Sequence, residues 1–262
     1  MKLLKHCLTV AGSDPSGGAG IGADIKTFSA LDCYAMSVIT SVVAENTFAV
    51  KGKLDVPAKM ITAQLEAVFE DIRVDGMKIG MLTDISSVEA VAAAIEKYKP
   101  PIIVFDPVMN ATAGAELLSP KAVETVKKRL IPLCTLVTPN IPEAEVLTGT
   151  KIESTEDMKA AAKKIADSGA KAVLLKGGHL SGNAEDLLFD GKDFRFYSAH
   201  RISTNTTHGT GCTLSSAITA FMANDCLLPQ AVEKAKEFIT GAIENGLDIG
   251  KGNGPLNHFY KL

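Results

Sequence analysis

The sequence predicts an α/β protein in which a mostly parallel central sheet is covered by helices on both faces. Short Val- and Ile-rich runs alternate with longer segments of helical period, glycine-rich loops follow several of those runs, and a late turn signal breaks the alternation. A chain of 262 residues is expected to form one domain spanning 1–262, since α/β folds fill that length undivided.

Taken in order, the first strand is read at Cys7–Gly12 and leads into a glycine-rich loop that opens a helix. Further strands are expected at Ser37–Ala44, Gly76–Gly80, Ile102–Phe105, Thr135–Thr138 and Ala172–Lys176, with helices between them. The clearest helix is Asp84 to Lys99, where Ile85, Val88, Val91, Ala92 and Ile95 recur at three- and four-residue spacing and Pro100-Pro101 ends the run. Ser119-Pro120 is a cap followed by proline at the first helical position, opening a helix through Val123 and Val126. Met158 to Ser168 is another, closed by Gly169. Asp186–Phe189 and Phe194–Tyr197, joined by Asp190-Gly191-Lys192, read as a β-hairpin. Helices from Cys212 to Ala223 and from Pro229 to Ile243 follow, then a glycine-rich tail from Gly250 to Tyr260.

Composition excludes several function classes. With 27 Lys and Arg against 30 Asp and Glu the net charge is −3, so no nucleic-acid surface is expected. The longest stretch without those residues, Ile202 to Asn224, is too rich in Ser, Thr, Asn and Gly to cross a bilayer, and no membrane partner is expected. Met1-Lys2-Leu3-Leu4-Lys5-His6 returns to charge before a signal-like apolar run of about 7–15 residues builds up, so a cytoplasmic location is expected. Five cysteines without a CxxC pair indicate neither a disulfide framework nor a zinc cage.

Three motifs carry chemistry. The loop Ala11-Gly12-Ser13-Asp14-Pro15-Ser16-Gly17-Gly18-Ala19-Gly20-Ile21-Gly22-Ala23-Asp24 lets backbone approach a ligand at a helix start. It has the outline of a dinucleotide fingerprint, yet the acidic residue that fingerprint wants about 20 positions on, for which Glu45 is the nearest candidate, comes late. A plain structural turn is the third reading. No Walker-type phosphate loop occurs. The second motif, Asn205-Thr206-Thr207-His208-Gly209-Thr210-Gly211-Cys212-Thr213-Leu214, turns from a Thr- and Gly-rich loop into an apolar helix. Its unpaired amides suit a phosphate. A thiol in the first helical turn should have a lowered pKa and serve as base or nucleophile, or Cys212 is a packed helix residue. The third motif places Asp106, Asn140 and Glu143 just beyond strand ends, where open α/β sheets bind ligands and where carboxylates hold Mg²⁺. Each would singly serve as a helix cap, and for Asn140 alone that reading prevails. Lys176-Gly177-Gly178-His179 brings a cation to the same edge.

These residues resemble a family. The AGSDPSGGAGIGADIKT loop, the DPVM, TPNIPEAE and LLKGGH segments, NTTHGTGCTLSSAI and Gly254-Pro255-Leu256-Asn257-His258 look like the ribokinase-like small-molecule kinases, and within them the hydroxymethylpyrimidine and phosphomethylpyrimidine kinases of thiamine biosynthesis. Pyridoxal kinases are the near competitor. The resemblance implies a three-layer α/β/α fold, ATP and Mg²⁺, and a pyrimidine substrate; it leaves a homodimer open. By carry-over, Gly209, Thr210, Gly211 and Cys212 would form the anion hole for the γ-phosphoryl group, with Cys212 the base. Lys176 and Asn140 would lie near the ATP phosphates, Asp106 and Glu143 would organise Mg²⁺, and Gly12, Asp24, Glu45, Met81 and Val108 would line the pyrimidine pocket. Sugar kinases of the superfamily carry Asp at the position of Cys212, a departure shared with the pyrimidine and pyridoxal branch. Glu45 stands where much of the family is associated with Gln, which would put pH dependence into substrate pairing. A non-catalytic ligand-binding protein is disfavoured because Asp106, Glu143, Lys176 and the GTGC loop are all present.

Overall fold

The computed structural model describes residues 4–109, 118–177 and 184–261. Gly178 and His179, and the first three residues of the amino-terminal segment, lie outside the described residues. Among the described residues nine strands form one sheet: β1 (Lys5–Gly12), β2 (Cys33–Glu45), β3 (Val50–Asp55), β4 (Gly76–Ile79), β5 (Ile103–Phe105), β6 (Leu136–Val137), β7 (Val173–Leu175), β8 (Ala184–Phe189) and β9 (Phe194–Ala199). Their order is β3-β2-β1-β4-β5-β6-β7-β8-β9. From β2 to β7 every neighbouring pair is parallel, while β3, β8 and β9 add antiparallel pairs at the two edges. This is the mostly parallel α/β arrangement, with the late hairpin, that the sequence led us to expect.

The helices are α1 (Gly20–Ala30), α2 (Ala58–Phe69), α3 (Ile85–Tyr98), α4 (Pro120–Thr125), α5 (Ile141–Thr148), α6 (Thr155–Ala166), α7 (Thr210–Ala223) and α8 (Leu228–Glu244). Alternation along β1 divides them into two layers. Leu8 and Val10 face a core with α2 to α6, whereas Cys7 packs with Phe28 of α1 and Ala220 of α7 on the other side. α7 and α8 bury Leu214, Ile218, Val232, Phe238 and Ile239 on that second side. Asp84 caps α3 by accepting from Ser87 N–H at 2.8 Å, and Lys99 closes the helix in the left-handed region.

Two elements escaped the sequence reading, and both have weak burial patterns. β3 is half-buried or exposed along its length and is held by backbone pairing to β2, so it shows no alternation. α2 fully buries only Ile61 and Leu65, a stripe too narrow to stand out. β2 also begins four residues before the expected Ser37, because Cys33 to Met36 continue the parallel register with Lys5 to Leu8.

Candidate active site

Beyond the carboxyl ends of β1, β4, β5, β6 and β7 lies a cavity of about 470 Å³, where an open parallel sheet gathers loop residues. Its walls include Gly12, Glu45, Met81, Asp106, Val108, Asn140, Glu143 and Lys176, together with Gly209 to Cys212 at the start of α7. Twelve of the thirteen site residues expected from the sequence are therefore brought together. Asp24 is the exception and corrects the expectation. It lies behind the wall, fully buried, its oxygens taken by Thr9 (2.6 Å), Lys78 (2.9 and 2.8 Å) and Ser216 (2.7 Å).

The two glycine-rich loops interlock at the cavity mouth. Asp14 accepts from the amides of Ser16, Gly18 and Ala19 and sits 2.9 Å from His208 Nε2. Burial works against its charge, but His208, Ser16 and Ala19 hold the Asp14 carboxyl down at about 2, and Asp14 in turn raises the His208 pKa. Gly209 has φ +85°, and a β-carbon there would stand 1.8 Å from the Gly18 carbonyl oxygen. Only glycine permits both the left-handed turn and this contact. The tail closes the arrangement from outside, with His208 N–H donating to Gly254 and Asn253 N–H donating to Thr47.

The charged floor is closely paired. Lys176 donates to Asp106 Oδ1 at 2.6 Å, and Thr138 donates to the same oxygen at 3.1 Å. Burial disfavours the Lys176 charge, yet Asp106 and Glu143 raise its pKa. Asn140 and Glu143 form a capping box on α5, with Glu143 N–H donating to Asn140 Oδ1 (2.9 Å) and Asn140 N–H to Glu143 Oε2 (2.7 Å). Both readings of Asn140 thus meet in one place, since it caps a helix and lines the cavity. Burial, with Asp106 nearby, pushes Glu143 up to about 7. Asp106 and Glu143 offer hard oxygen donors, and among the described residues no cluster of three His, Cys, Asp or Glu surrounds them. Two carboxylates whose mutual repulsion a cation would relieve suit Mg²⁺, which keeps waters or phosphate oxygens in its remaining positions.

Cys212 is half-buried in the first turn of α7, where the sequence implied a lowered pKa. The structure reverses that. Burial pushes the thiol up to about 11; Lys78 and the Gly20 amide pull it down, while Asp24 and Asp106 push it further up. Glu45 is also raised, by burial and then by the Asp14 charge.

Sequence reasoning missed Asp14, Lys78 and His208. Lys78 left a signal, as the one charge within the apolar run Gly76-Met77-Lys78-Ile79-Gly80. The Asp14–His208 contact joins residues 194 positions apart and had no local trace.

A second cavity of about 350 Å³ shares Asn140, Lys176, Thr207, Thr210 and Gly211 with the first, and adds the apolar side chains Ile202, Leu214, Ile239 and Ile243.

The family model for phosphomethylpyrimidine kinase matches residues 14–257. The hydroxymethylpyrimidine/phosphomethylpyrimidine kinase of Bacillus subtilis is 47% identical over 258 residues, covering 98% of this chain and 95% of its own. The thiamine biosynthesis bifunctional protein ThiED of Geobacter sulfurreducens is 49% identical over 252 residues, and the match spans 96% of this chain and 51% of that longer protein. Among solved structures, phosphomethylpyrimidine kinase from Clostridium difficile aligns with a TM-score of 0.82 at 46% identity, covering 91% of this chain and 99% of that one. The Staphylococcus aureus pyridoxal kinase in complex with AMP-PCP and pyridoxal aligns with a TM-score of 0.90 at 37% identity, over 98% and 94% of the two chains.

Proposed function

The chain belongs to the phosphomethylpyrimidine kinase family, and we propose that it transfers the γ-phosphoryl group of ATP to 4-amino-5-hydroxymethyl-2-methylpyrimidine, and then to the monophosphate, making the pyrophosphate used in thiamine synthesis. The observation that carries this reading is the pair of cavities meeting at Thr207, Thr210 and Gly211. One has room for a small polar ring and the other an apolar slot for a nucleotide base, with the glycine-rich start of α7 between them. Amides at that helix start would receive the transferring phosphoryl group, and Lys176 would neutralise oxygens beside it. Bound by Asp106 and Glu143, Mg²⁺ would supply charge to the phosphate oxygens and offset the Asp106 carboxylate.

In the first transfer the acceptor hydroxyl passes its proton to the Cys212 sulfur as its oxygen bonds the γ-phosphorus and the bond to ADP breaks. Cys212 must therefore be thiolate when the substrates are in place, although burial favours its protonated form. The second acceptor is already anionic and needs less help. Glu45, with Gly12, Met81 and Val108, would line the pyrimidine side. Asp24 supports that wall from behind.

The same reading takes 1–262 as one domain, supported by a sheet that runs unbroken through nine strands. It also carries a homodimer, supported by Val42 and Leu54, paired across β2 and β3 and 51% and 71% exposed. A cytoplasmic location follows from the need for ATP; among the described residues no helix is long and apolar enough to cross a membrane. Incubation with the hydroxymethylpyrimidine and MgATP, followed by phosphorus NMR, should show the monophosphate and then the pyrophosphate. No phosphorylated pyrimidine would reject the reading.

A further inference from the structure

The wall that carries Glu45 has little support from the sheet. Parallel pairing of β2 with β1 ends at Ser41 and Gly12, and just beyond it Val43 N–H donates to the Ser13 hydroxyl at 3.0 Å. Ala44 and Glu45 then pair with Gly52 and Val50 of the edge strand β3, across a register shift that interrupts the ladder. The tip of this hairpin overhangs the cavity, to which Val43, Glu45 and Val50 contribute side chains. A support comes instead from the carboxyl-terminal tail. Thr47, in the turn between β2 and β3, accepts from the Lys251 and Gly252 amides with its hydroxyl (3.2 and 3.0 Å) and from Asn253 N–H with its carbonyl (3.0 Å). Gly252 lets the two segments lie this close, since a β-carbon there would run into the Thr47 carbonyl and the Phe48 side chain. A few residues on, the tail is anchored. Gly254 accepts from His208 N–H at 3.1 Å, Leu256 is buried with α7 and α8, and His258 Nε2 lies 2.9 Å from the Thr213 hydroxyl. One short strap thus joins the Glu45 wall to the loop that opens α7.

We propose that Thr47 is a positioning residue for the acceptor: its hydroxyl latches the tip of the β2–β3 hairpin to the tail and so holds Glu45 and Val43 against the substrate ring. This rests on the reading of that wall as the pyrimidine side. Thr47 itself stands outside the cavity lining and acts through Glu45, two positions back in the chain. With the latch broken, the tip spends part of its time with Glu45 out of reach, and acceptor affinity falls by that fraction. Once the complex forms, the phosphoryl transfer is unchanged. The nucleotide slot is also unchanged, because it lies across the start of α7, where His208, Leu256 and His258 anchor the tail by other contacts.

Steady-state kinetics of the full chain with the hydroxymethylpyrimidine and MgATP test this in the parent, Thr47→Val, Thr47→Ser and Gly252→Ala. Valine keeps the branched shape and removes the acceptor, and the freed Lys251 and Gly252 amides are exposed to water, so the variant should fold. Thr47→Val should raise KM for the pyrimidine about fivefold, close to the worth of one net hydrogen bond, with kcat and KM for ATP near the parental values. Thr47→Ser keeps the hydroxyl and should restore the parental KM. Gly252→Ala wedges the tail from the turn and should raise the same KM; combined with Thr47→Val it should add little, because both break one latch. A parental pyrimidine KM in Thr47→Val overturns the proposal. So does a Thr47→Val protein whose kcat and both KM values worsen together, or a Thr47→Ser protein as impaired as Thr47→Val, since a merely structural role would give either. Failure of the underlying reading appears separately, as a parent that phosphorylates no pyrimidine, and the proposal falls with it.

Discussion

Replacing Gly211 by alanine should separate folding from catalysis. Gly211 is the second residue of α7, and a β-carbon there would lie 3.3 Å from Asp106 Oδ2 and 3.4 Å from Lys176 Nζ, both the far ends of side chains, which must shift slightly to admit it. The helix itself accepts the change, since alanine is favoured over glycine by up to about 1 kcal/mol inside a helix and by less in a first turn. The added methyl, however, points into the space among the α7 amides, Asp106 and Lys176 where the transferring phosphoryl group would sit. The variant keeps its amide, but a phosphoryl group pushed away from such a donor loses the contact, and losing one elsewhere costs about 10²–10³ in turnover, about 2.7–4 kcal/mol of transition-state stabilisation. We expect Gly211→Ala to melt at or above the parent temperature by calorimetry, with kcat for the hydroxymethylpyrimidine lower by about 10² in a coupled ADP assay. A folded variant with parental kcat would refute the assignment of this loop. Gly209→Ala differs in kind: with φ +85° and the Gly18 carbonyl 1.8 Å from the new atom, it should lose stability and activity together.

Three further outcomes follow from the site. Glu45, raised by burial and by Asp14, should pair with the pyrimidine while sharing one proton, so substrate affinity should fall as pH rises through the pKa in the complex; Glu45→Gln should flatten that profile, and Glu45→Leu should weaken binding by about 1–3 kcal/mol in calorimetry. For the Asp14–His208 pair, the depressed Asp14 pKa gives stability present above about pH 4 and lost as pH falls towards about 2, while the raised His208 pKa gives stability present below about 6.5 and lost as pH rises past it. Asp14→Asn should therefore cost most, about 2 kcal/mol, between those limits in urea unfolding, and a pH-independent loss would contradict the pairing. Cys212→Ser should slow alcohol phosphorylation by about 10²–10⁴ and monophosphate phosphorylation much less; equal losses would point instead to a disturbed anion loop.

Much of this arrangement was legible in the sequence because it is local. Asp84 and Ser119 announce their helices by cap chemistry, and Asp190-Gly191 announces the hairpin turn, where Gly191 adopts φ +90°. The site residues that were legible stand at strand ends or in glycine-rich loops, where spacing alone carries the signal. What stayed hidden depends on residues far apart in the chain. Asp24 looked like a loop residue facing ligand, but β4 brings Lys78 beneath it and α7 brings Ser216, which turns its carboxylate inward. The Cys212 pKa runs opposite to expectation because the helix start is visible in sequence, whereas the burial of the thiol, and after it the surrounding carboxylates, are not.

The central claim is the choice of acceptor, and one comparison tests it most directly. With MgATP and matched enzyme, kcat/KM should be measured side by side for the hydroxymethylpyrimidine, its monophosphate and pyridoxal. We predict turnover of both pyrimidines, each with a higher kcat/KM than pyridoxal. Pyridoxal preferred over the hydroxymethylpyrimidine, or a monophosphate that is not phosphorylated further, would contradict the account.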